Sequence, residues 1–186
     1  MIQTKQDLKE YLSADMKFYS SYNKKDKLIF RICQDSFYYI YKYIKFLRKE
    51  EYYANIHSSK FNTLMCLWYY KRKNKLGNKL GFRIPRNTFG PGLEIYHHGE
   101  VIVNEGARIG ANAKLHGGNC IGNNGKIDLA PQIGDYLNLG IGAKIIGKVN
   151  LGNNIRVGAN AVVTKSFDGD SLTLVGIPAH SKNTKI

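Results

Sequence analysis

Glycine and proline are absent from residues 1–76, although the 186-residue chain has 19 glycines and four prolines. Because these two residues interrupt helices most often, their absence favours a run of three or four helices. The same segment holds 11 of the 13 tyrosines and the single tryptophan. The chain changes character near Gly77, and we predict an α-helical N-terminal segment over residues 1–76.

Cysteines are few, with three residues that are widely separated and odd in number. This pattern is typical of reduced thiols, and the spacing matches no zinc-binding motif. We therefore expect neither disulfides nor a metal site. No apolar stretch approaches the ~20 residues needed to cross a bilayer. The start of the chain, MIQTKQDLKEYL, also lacks the apolar core of a signal peptide. We therefore expect a cytoplasmic protein without a transmembrane helix.

Acidic residues are also few, with 14 against 28 Lys and Arg, which leaves a net charge of +14. The excess is +9 in residues 1–76 and +5 in the rest, so charge alone selects no partner. In residues 37–49 the apolar residues recur at helical spacing, and basic residues occupy much of the rest of the pattern. This indicates an amphipathic helix with a basic side. We favour a packed helix with solvated basic residues. Peripheral contact with the inner membrane surface is the second interpretation, RNA binding is the least favoured, and we expect no nucleic-acid partner.

The second part of the chain repeats with a period of six. From Ile133 onwards the first position of each hexad is aliphatic and the fifth is apolar. The first positions are Ile133, Leu139, Ile145, Leu151, Val157 and Val163, and the fifth positions are Leu137, Ala143, Val149, Ile155 and Ala161. Three hexads make one triangular coil, which predicts a parallel β-helix of four to five coils rather than a β-sandwich. We place this domain at residues 77–165, capped by the helices and followed by a C-terminal tail at 166–186.

The frame of six extends back to about residue 85, with two irregular places. Pro131 occupies a fifth position, so we expect a loop to leave the coil within residues 121–132. His97 occupies a first position, where an aliphatic residue belongs, and this break suggests a functional role.

Several motifs together resemble the hexapeptide-repeat acyltransferases. They are GPGLEIYHHGEVIVN at 90–104, APQIGD, GIGAKIIGKVNLGNNIRVGANAVVTKS and VGIPA. The resemblance covers residues 77–180, and the branch it matches best is that of the serine acetyltransferase-like enzymes of capsular and exopolysaccharide synthesis. It implies a left-handed β-helix, a homotrimer with each active site between two chains, and acetyl-CoA as donor without a metal.

The resemblance also implies that His97 is the general base. Its segment matches the one in which the family's histidine deprotonates the acceptor hydroxyl, a step suited to an imidazole near neutrality. His98 is the alternative base. The group that orients His97 stays open among Glu94, Glu100, Asp128 and a backbone carbonyl.

His98 and His116 lie one coil of three hexads apart, so we expect them to stack. Without a carboxylate on that face they do not make a usual zinc site. On the donor side, the resemblance implies coenzyme A contacts along three later coils, with backbone amides around Ala143 and Ala159 facing the pantetheine arm and lysines near the phosphates. The implied residues are Ile141, Gly142, Ala143, Ala159, Thr164, Lys165 and Lys182.

The acceptor side departs from true serine acetyltransferases. Tyr96, Phe82 and Ala130 stand where that family has two aspartates and a second histidine. We therefore expect a sugar hydroxyl as acceptor, bound by Tyr96, His98 and Glu94. The function predicted here is acetyl-CoA-dependent O-acetylation of a sugar in capsular or exopolysaccharide synthesis. The alternatives are serine O-acetylation in cysteine biosynthesis and a non-catalytic β-helix scaffold.

Overall fold

A computed structural model describes residues 1–20, 22–57, 59–125 and 129–182. The N-terminal part is helical, as expected from its lack of glycine and proline. Its helices are α1 (Lys5–Asp15), α2 (Lys17–Ser20), α3 (Lys24–Ile32), α4 (Ser36–Asn55) and α5 (Lys60–Leu80). Within the described ranges no helix combines the length and apolarity that a membrane span requires.

Helix α5 continues beyond the predicted boundary at residue 76 and includes Gly77. A Cβ atom at Gly77 would lie 2.5 Å from the carbonyl oxygen of Phe82 and 3.2 Å from Cε2 of Tyr43. Gly77 therefore permits close packing inside the helix and does not end it. The helix ends at Gly81, which adopts the left-handed conformation with φ of 77°.

The rest of the described chain winds into a β-helix with three sheets. Sheet 1 contains β1 (Phe82–Arg83), β3 (Val101–Val103), β6 (Asn119–Gly122), β9 (Lys144–Ile146) and β12 (Val162–Val163). Sheet 2 contains β4 (Arg108–Ile109), β7 (Gln132–Ile133) and β10 (Asn150–Leu151). Sheet 3 contains β2 (Glu94–Ile95), β5 (Lys114–Leu115), β8 (Asn138–Leu139), β11 (Arg156–Val157), β13 (Thr173–Val175) and β14 (His180–Ser181). Neighbouring strands are parallel, apart from β14, which runs antiparallel to β13. The predicted parallel β-helix is confirmed.

The hexad positions form the core of this β-helix. From Ile133 to Val163, every first-position and fifth-position side chain is at most 6% exposed. Each coil buries these residues by stacking on the next, which is why the period of six is so regular.

One coil is longer than the others by a whole hexad. Ile145 pairs with Val163, three hexads further along the chain, whereas Ile121 pairs with Ile145, four hexads further along. The additional hexad lies between β6 and β7, within the stretch where we predicted a loop. Since the addition is one full repeat, the buried positions on either side keep the same frame. Part of this stretch, including Asp128, lies outside the described residues.

The coils also continue past residue 165, where we had placed the end of the domain. Phe167 forms a bridge with Leu151, and β13 pairs with β11. After β13 the chain turns back and adds β14 along the same sheet. The chain up to residue 182 thus belongs to the β-helix rather than to a separate tail.

A buried ion network joins the helices to the first coil. Arg48 is fully buried, with Nε 2.7 Å from Asp15 Oδ2 and Nη1 3.0 Å from Glu51 Oε2. The guanidinium also donates to the carbonyl oxygens of Phe89 at 2.9 Å and Gly90 at 2.6 Å. Arg48 was expected on the solvated side of its helix. Its burial corrects that interpretation, because the β-helix covers this part of α4.

Asp15 completes the junction by accepting backbone N–H groups of the β-helix. Its Oδ1 lies 2.7 Å from the nitrogen of Gly92 and 2.8 Å from that of Leu93. Burial alone would lower the pKa of Arg48, but the carboxylates of Glu51 and Asp15 raise it, so the guanidinium stays charged. One salt-bridged cluster therefore ties α1, α4 and the first coil together.

Candidate active site

His97 lies in a corner between β2 and β3 that is two residues longer than the corner below it. Ile95 pairs with Leu115 and Val103 pairs with Ile121, so eight steps in the first coil (103 − 95) match six in the second (121 − 115). Ile95 occupies the buried position, and His97 is exposed. The expectation that His97 replaces an inward-facing residue is therefore corrected. The extra residues displace it from the wall of the β-helix.

Contacts from the helical segment hold both ends of this corner. The hydroxyl of Tyr19 donates to the carbonyl oxygen of Ile95 at 3.2 Å, and the N–H of Gly99 donates to the carbonyl oxygen of Leu80 at 2.9 Å. Beneath the corner, Gly117 has φ of +100°, and a Cβ there would lie 3.6 Å from Cβ of His97. That distance is an ordinary van der Waals contact, so the positive φ, rather than lack of space, is what favours glycine at position 117.

Equivalent corners of successive coils stack along one edge of the β-helix, between sheets 3 and 1. We call this the site edge; its corners are residues 96–100, 116–118, 140–143, 158–161 and 176–179. Backbone hydrogen bonds connect them, from Gly142 N to Gly117 O at 2.9 Å and from Asn160 N to Ile141 O at 2.9 Å. His97 and the corners containing Ile141 and Ala159 therefore share one edge, separated by two and three coils, or roughly 10 to 14 Å at strand spacing.

The implied donor residues divide into two groups. Ile141, at 56% exposure, and Ala159 present themselves to solvent on the site edge. Ala143 is on the same edge, but its side chain is buried and its N–H donates to Gly140 O at 3.1 Å. Its amide therefore stabilises the turn, contrary to the expectation that it faces a ligand.

The remaining donor residues lie away from the site edge. Thr164 and Lys165 follow β12, at the opposite border of sheet 1, where the Lys165 ammonium lies 5.4 Å from the ring centre of Phe167. The backbone of Lys182 bonds to Thr173 at the far border of sheet 3. The structure thus brings Ile141, Gly142, Ala143 and Ala159 onto the edge of His97, but not these three.

Tyr96, rather than His98, stacks on His116. The two rings lie 4.7 Å apart at 23°, because the longer corner aligns residue 96 with residue 116. His98 is exposed in the corner. The expected stacking of His98 on His116 is therefore wrong, since it assumed a coil of three regular hexads.

A polar cluster surrounds this stacked pair on the outer face of sheet 3. The hydroxyl of Tyr96 donates to Glu94 Oε2 at 2.8 Å, and the ammonium of Lys114 lies 3.6 Å from the same oxygen. His116 Nε2 lies 3.1 Å from Asn138 Oδ1. Partial burial raises the pKa of Tyr96, and its bond to Glu94 raises it further.

Lys114 and Asn138 were not predicted as site residues. Both follow from the strand register, because residues 94, 114 and 138 align across sheet 3 and share its outer face. The unequal spacing of these three positions along the chain concealed the alignment. Among the groups considered for orienting His97, Glu94 is engaged by Tyr96 and Lys114, and Asp128 lies outside the described residues. In the described ranges no three His, Cys, Asp or Glu side chains converge as metal ligands would.

Curated relatives of this chain are named serine acetyltransferases. The enzyme of Staphylococcus xylosus is 32% identical over 142 residues, which cover 69% of this chain and 64% of that protein. The enzyme of Staphylococcus aureus (strain Mu50) is 37% identical over 98 residues, which cover 52% of this chain and 46% of that protein. The chain thus spans about half to two thirds of the length of these relatives. No protein-family model matches it.

Solved structures with the same fold carry the same name. Serine acetyltransferase from Brucella abortus matches 96% of this chain and 70% of its own, with a TM-score of 0.72 and 19% identity. Its complex with coenzyme A matches 95% and 66%, with a TM-score of 0.69 and 23% identity. The soybean enzyme complexed with serine matches 95% and 70%, with a TM-score of 0.69 and 22% identity. These likenesses establish the fold as a left-handed β-helix with an N-terminal helical segment.

The comparisons support the resemblance to hexapeptide-repeat acyltransferases and correct its finer part. The relatives are serine acetyltransferases, not capsular O-acetyltransferases. The predicted sugar acceptor and the role in polysaccharide synthesis are therefore contradicted. That prediction relied on single positions matched to the family, namely Tyr96, Phe82 and Ala130. It did not include Lys114, which a neighbouring strand brings beside Glu94 and Tyr96.

Proposed function

We propose that this protein transfers the acetyl group of acetyl-CoA to the hydroxyl of serine, with His97 as general base. The observation that carries the proposal is the site edge, along which His97 and the corners at 140–143 and 158–161 stack in one line. A base at one end of a ladder of exposed turns suits an extended thioester donor. The names of the relatives support the same reaction.

In the proposed reaction, His97 accepts the proton of the serine hydroxyl while that oxygen attacks the thioester carbonyl carbon. The carbon–oxygen bond forms and the carbon–sulfur bond breaks. The proton held by His97 then passes to the departing sulfur, so that the products are O-acetylserine and coenzyme A. Exposure in an enlarged corner suits this role, because the imidazole must reach a bound hydroxyl.

For the acceptor, the pair of Glu94 and Lys114 supports a zwitterionic amino acid. A carboxylate and an ammonium 3.6 Å apart on one face offer complementary partners for the α-ammonium and α-carboxylate of serine. Both side chains are partly exposed, at 20% and 44%, so a small ligand can reach them. We propose Glu94 as the ammonium contact and Tyr96 as the wall of this acceptor site.

For the donor, we propose that the exposed turns of the site edge hold the pantetheine arm. Ile141 and Ala159 offer exposed surface, and Gly142, with φ of +70°, keeps the turn free of a side chain. Lys165 and Lys182 stay proposed cations for the phosphates of coenzyme A, at the borders of their sheets rather than on the edge itself.

We further propose a homotrimer in which each site edge meets a neighbouring chain. The exposed corner of His97 by itself leaves one side of the reacting groups open to water, and a second chain would cover it. Sedimentation equilibrium at micromolar concentration should give three times the mass of 21.1 kDa. A monomer would contradict the shared site.

The test of the reaction is release of coenzyme A thiol from acetyl-CoA in the presence of L-serine. We expect release that depends on L-serine and yields one O-acetylserine per thiol, detected by mass spectrometry. D-serine is the matched control, because a site that holds both charged groups and also presents the hydroxyl to His97 fixes three points of the substrate and so distinguishes the enantiomers. Release without O-acetylserine, or equal rates with both enantiomers, would contradict serine as the acceptor.

A further inference from the structure

Helix α5 carries an apolar surface that the described part of the chain leaves largely exposed to solvent. Four large side chains lie on its solvent face, spaced by one, three or four positions, which places them on one side of the helix. They are Phe61 at 63% exposure, Leu64 at 65%, Leu67 at 59% and Trp68 at 41%. Large apolar groups gathered in this way on a surface mark a site of interaction.

The second half of the same face is basic. Helix α5 contains six Lys and Arg residues and no Asp or Glu. Four of the cations, Lys71, Arg72, Lys75 and Lys79, are exposed and continue the stripe at helical spacing beyond Trp68. The face therefore changes along its length from apolar to positively charged.

These cations line a groove between α4 and α5 with an aromatic floor. Its volume is about 500 Å³, and among the residues that the structure describes no acidic side chain contributes to its lining. The guanidinium of Arg72 lies 4.3 Å from the ring centre of Trp68, and the ammonium of Lys42 lies 5.9 Å from that of Phe46. The lining residues that bear charge are Lys42, Lys71, Arg72, Lys75 and Lys79. A groove with this lining attracts anions.

We propose that this face of α5 binds the surface of a bilayer that contains anionic lipids. The apolar half enters the boundary between headgroups and acyl chains, while the cations contact lipid phosphates. Trp68 lies between the two halves, where an amphipathic indole is favoured. A membrane surface complements both halves at once, since it offers negative charge and hydrocarbon side by side.

Other occupants complement only part of the face. A nucleic acid would pair with the cations but would leave Leu64 and Leu67 in water. A second copy of α5, packed antiparallel on the apolar half, would leave the cations uncovered. Packed parallel, it would bring like charges together. Charge and apolarity together therefore favour the lipid surface.

The experiment measures binding of the intact chain to vesicles made of two parts phosphatidylcholine and one part phosphatidylglycerol, compared with pure phosphatidylcholine. We expect at least ~10-fold stronger co-sedimentation with the anionic vesicles and a marked loss of binding as salt is raised. Because Trp68 is the only tryptophan, its emission should shift to the blue on binding and report insertion directly.

Two variants separate this face from the overall positive charge. Lys71→Gln/Arg72→Gln/Lys75→Gln should lower binding at least ~10-fold. The matched control Lys5→Gln/Lys9→Gln/Lys148→Gln removes the same charge from exposed sites elsewhere and should lower it less than ~3-fold. Leu64→Asn should weaken binding and abolish the blue shift.

Equal losses in both triple variants would overturn the proposal, because they would show attraction by net charge alone. Equal binding to both kinds of vesicle would also overturn it. So would binding of single-stranded RNA, or self-association through α5, without any binding of vesicles. None of these measurements depends on catalysis, so they stand apart from the test of serine acetylation.

Discussion

The two regions of this molecule reach stability in different ways. In the β-helix, each coil repeats the same kind of apolar contact, and the hexad positions are all buried to a similar degree. In the helical segment, one arginine with two carboxylates connects two helices to the first coil. The comparison teaches that a periodic region can be understood from its repeat, whereas a non-periodic cap depends on a few particular contacts.

The largest effect is expected from removing the charge of Arg48, on which the junction between the two regions depends. We expect Arg48→Met to lower the free energy of unfolding by about 3 to 5 kcal/mol, because Asp15 and Glu51 would stay buried without a partner. Urea unfolding followed by circular dichroism measures the change. The control Lys45→Met, on the same helix but partly exposed, should change stability by less than ~1 kcal/mol. If Arg48→Met lowered the free energy of unfolding as little as Lys45→Met does, the buried ion network would be dispensable for stability.

The second prediction concerns the corner where the two regions meet. In the proposed reaction the serine hydroxyl would lose its base, so His97→Ala should lower kcat at least ~100-fold, or about 2.7 kcal/mol. Circular dichroism should stay unchanged, since the side chain is exposed. As control, His57→Ala, whose imidazole is exposed after α4, should retain activity. Full activity of the His97 variant would remove this residue from the mechanism.

The third prediction concerns the contact of α5 with the first strand. Gly77→Ala should destabilise the protein by about 1 to 3 kcal/mol, because the new methyl group would collide with the backbone at Phe82. In an open helix the same change stabilises by up to ~1 kcal/mol, so the sign alone is informative. The neighbouring exposed site offers the control Asn78→Ala, which should be neutral or stabilising in thermal unfolding. A stabilised Gly77 variant would contradict the close packing.

The smallest expected effect lies on the wall of sheet 3. In the proposed acceptor site the ammonium of serine would lose its carboxylate partner, so Glu94→Gln should lower kcat/KM for serine about 10-fold, or ~1.4 kcal/mol, mainly by raising KM. Steady-state kinetics at several serine concentrations separate the two constants. Glu105→Gln, an exposed carboxylate in the first coil, should leave both unchanged. An unaltered KM in the Glu94 variant would place the acceptor elsewhere.

The two regions also differed in how far the sequence alone could describe them. The period of six predicted the β-helix and its buried positions, since local repetition and burial coincide there. The burial of Arg48 was not predictable, because a basic residue on an amphipathic helix is normally solvated and only the coil beside it changes that. Tyr96 and Lys114 could not be assigned to one cluster, since their alignment depends on the unequal lengths of neighbouring coils.

The unequal lengths of the coils have a consequence for how such a fold can acquire new parts. An insertion of one full hexad, as between β6 and β7, is silent, because every later side chain keeps its orientation toward or away from the axis. An insertion of two residues, as in the corner that contains His97, changes which residue occupies the buried position. Ile95 is buried there, and the side chain of His97 faces solvent. An insertion whose length is a multiple of six therefore adds only surface. An insertion of another length can also expose a new side chain that is able to act in a reaction.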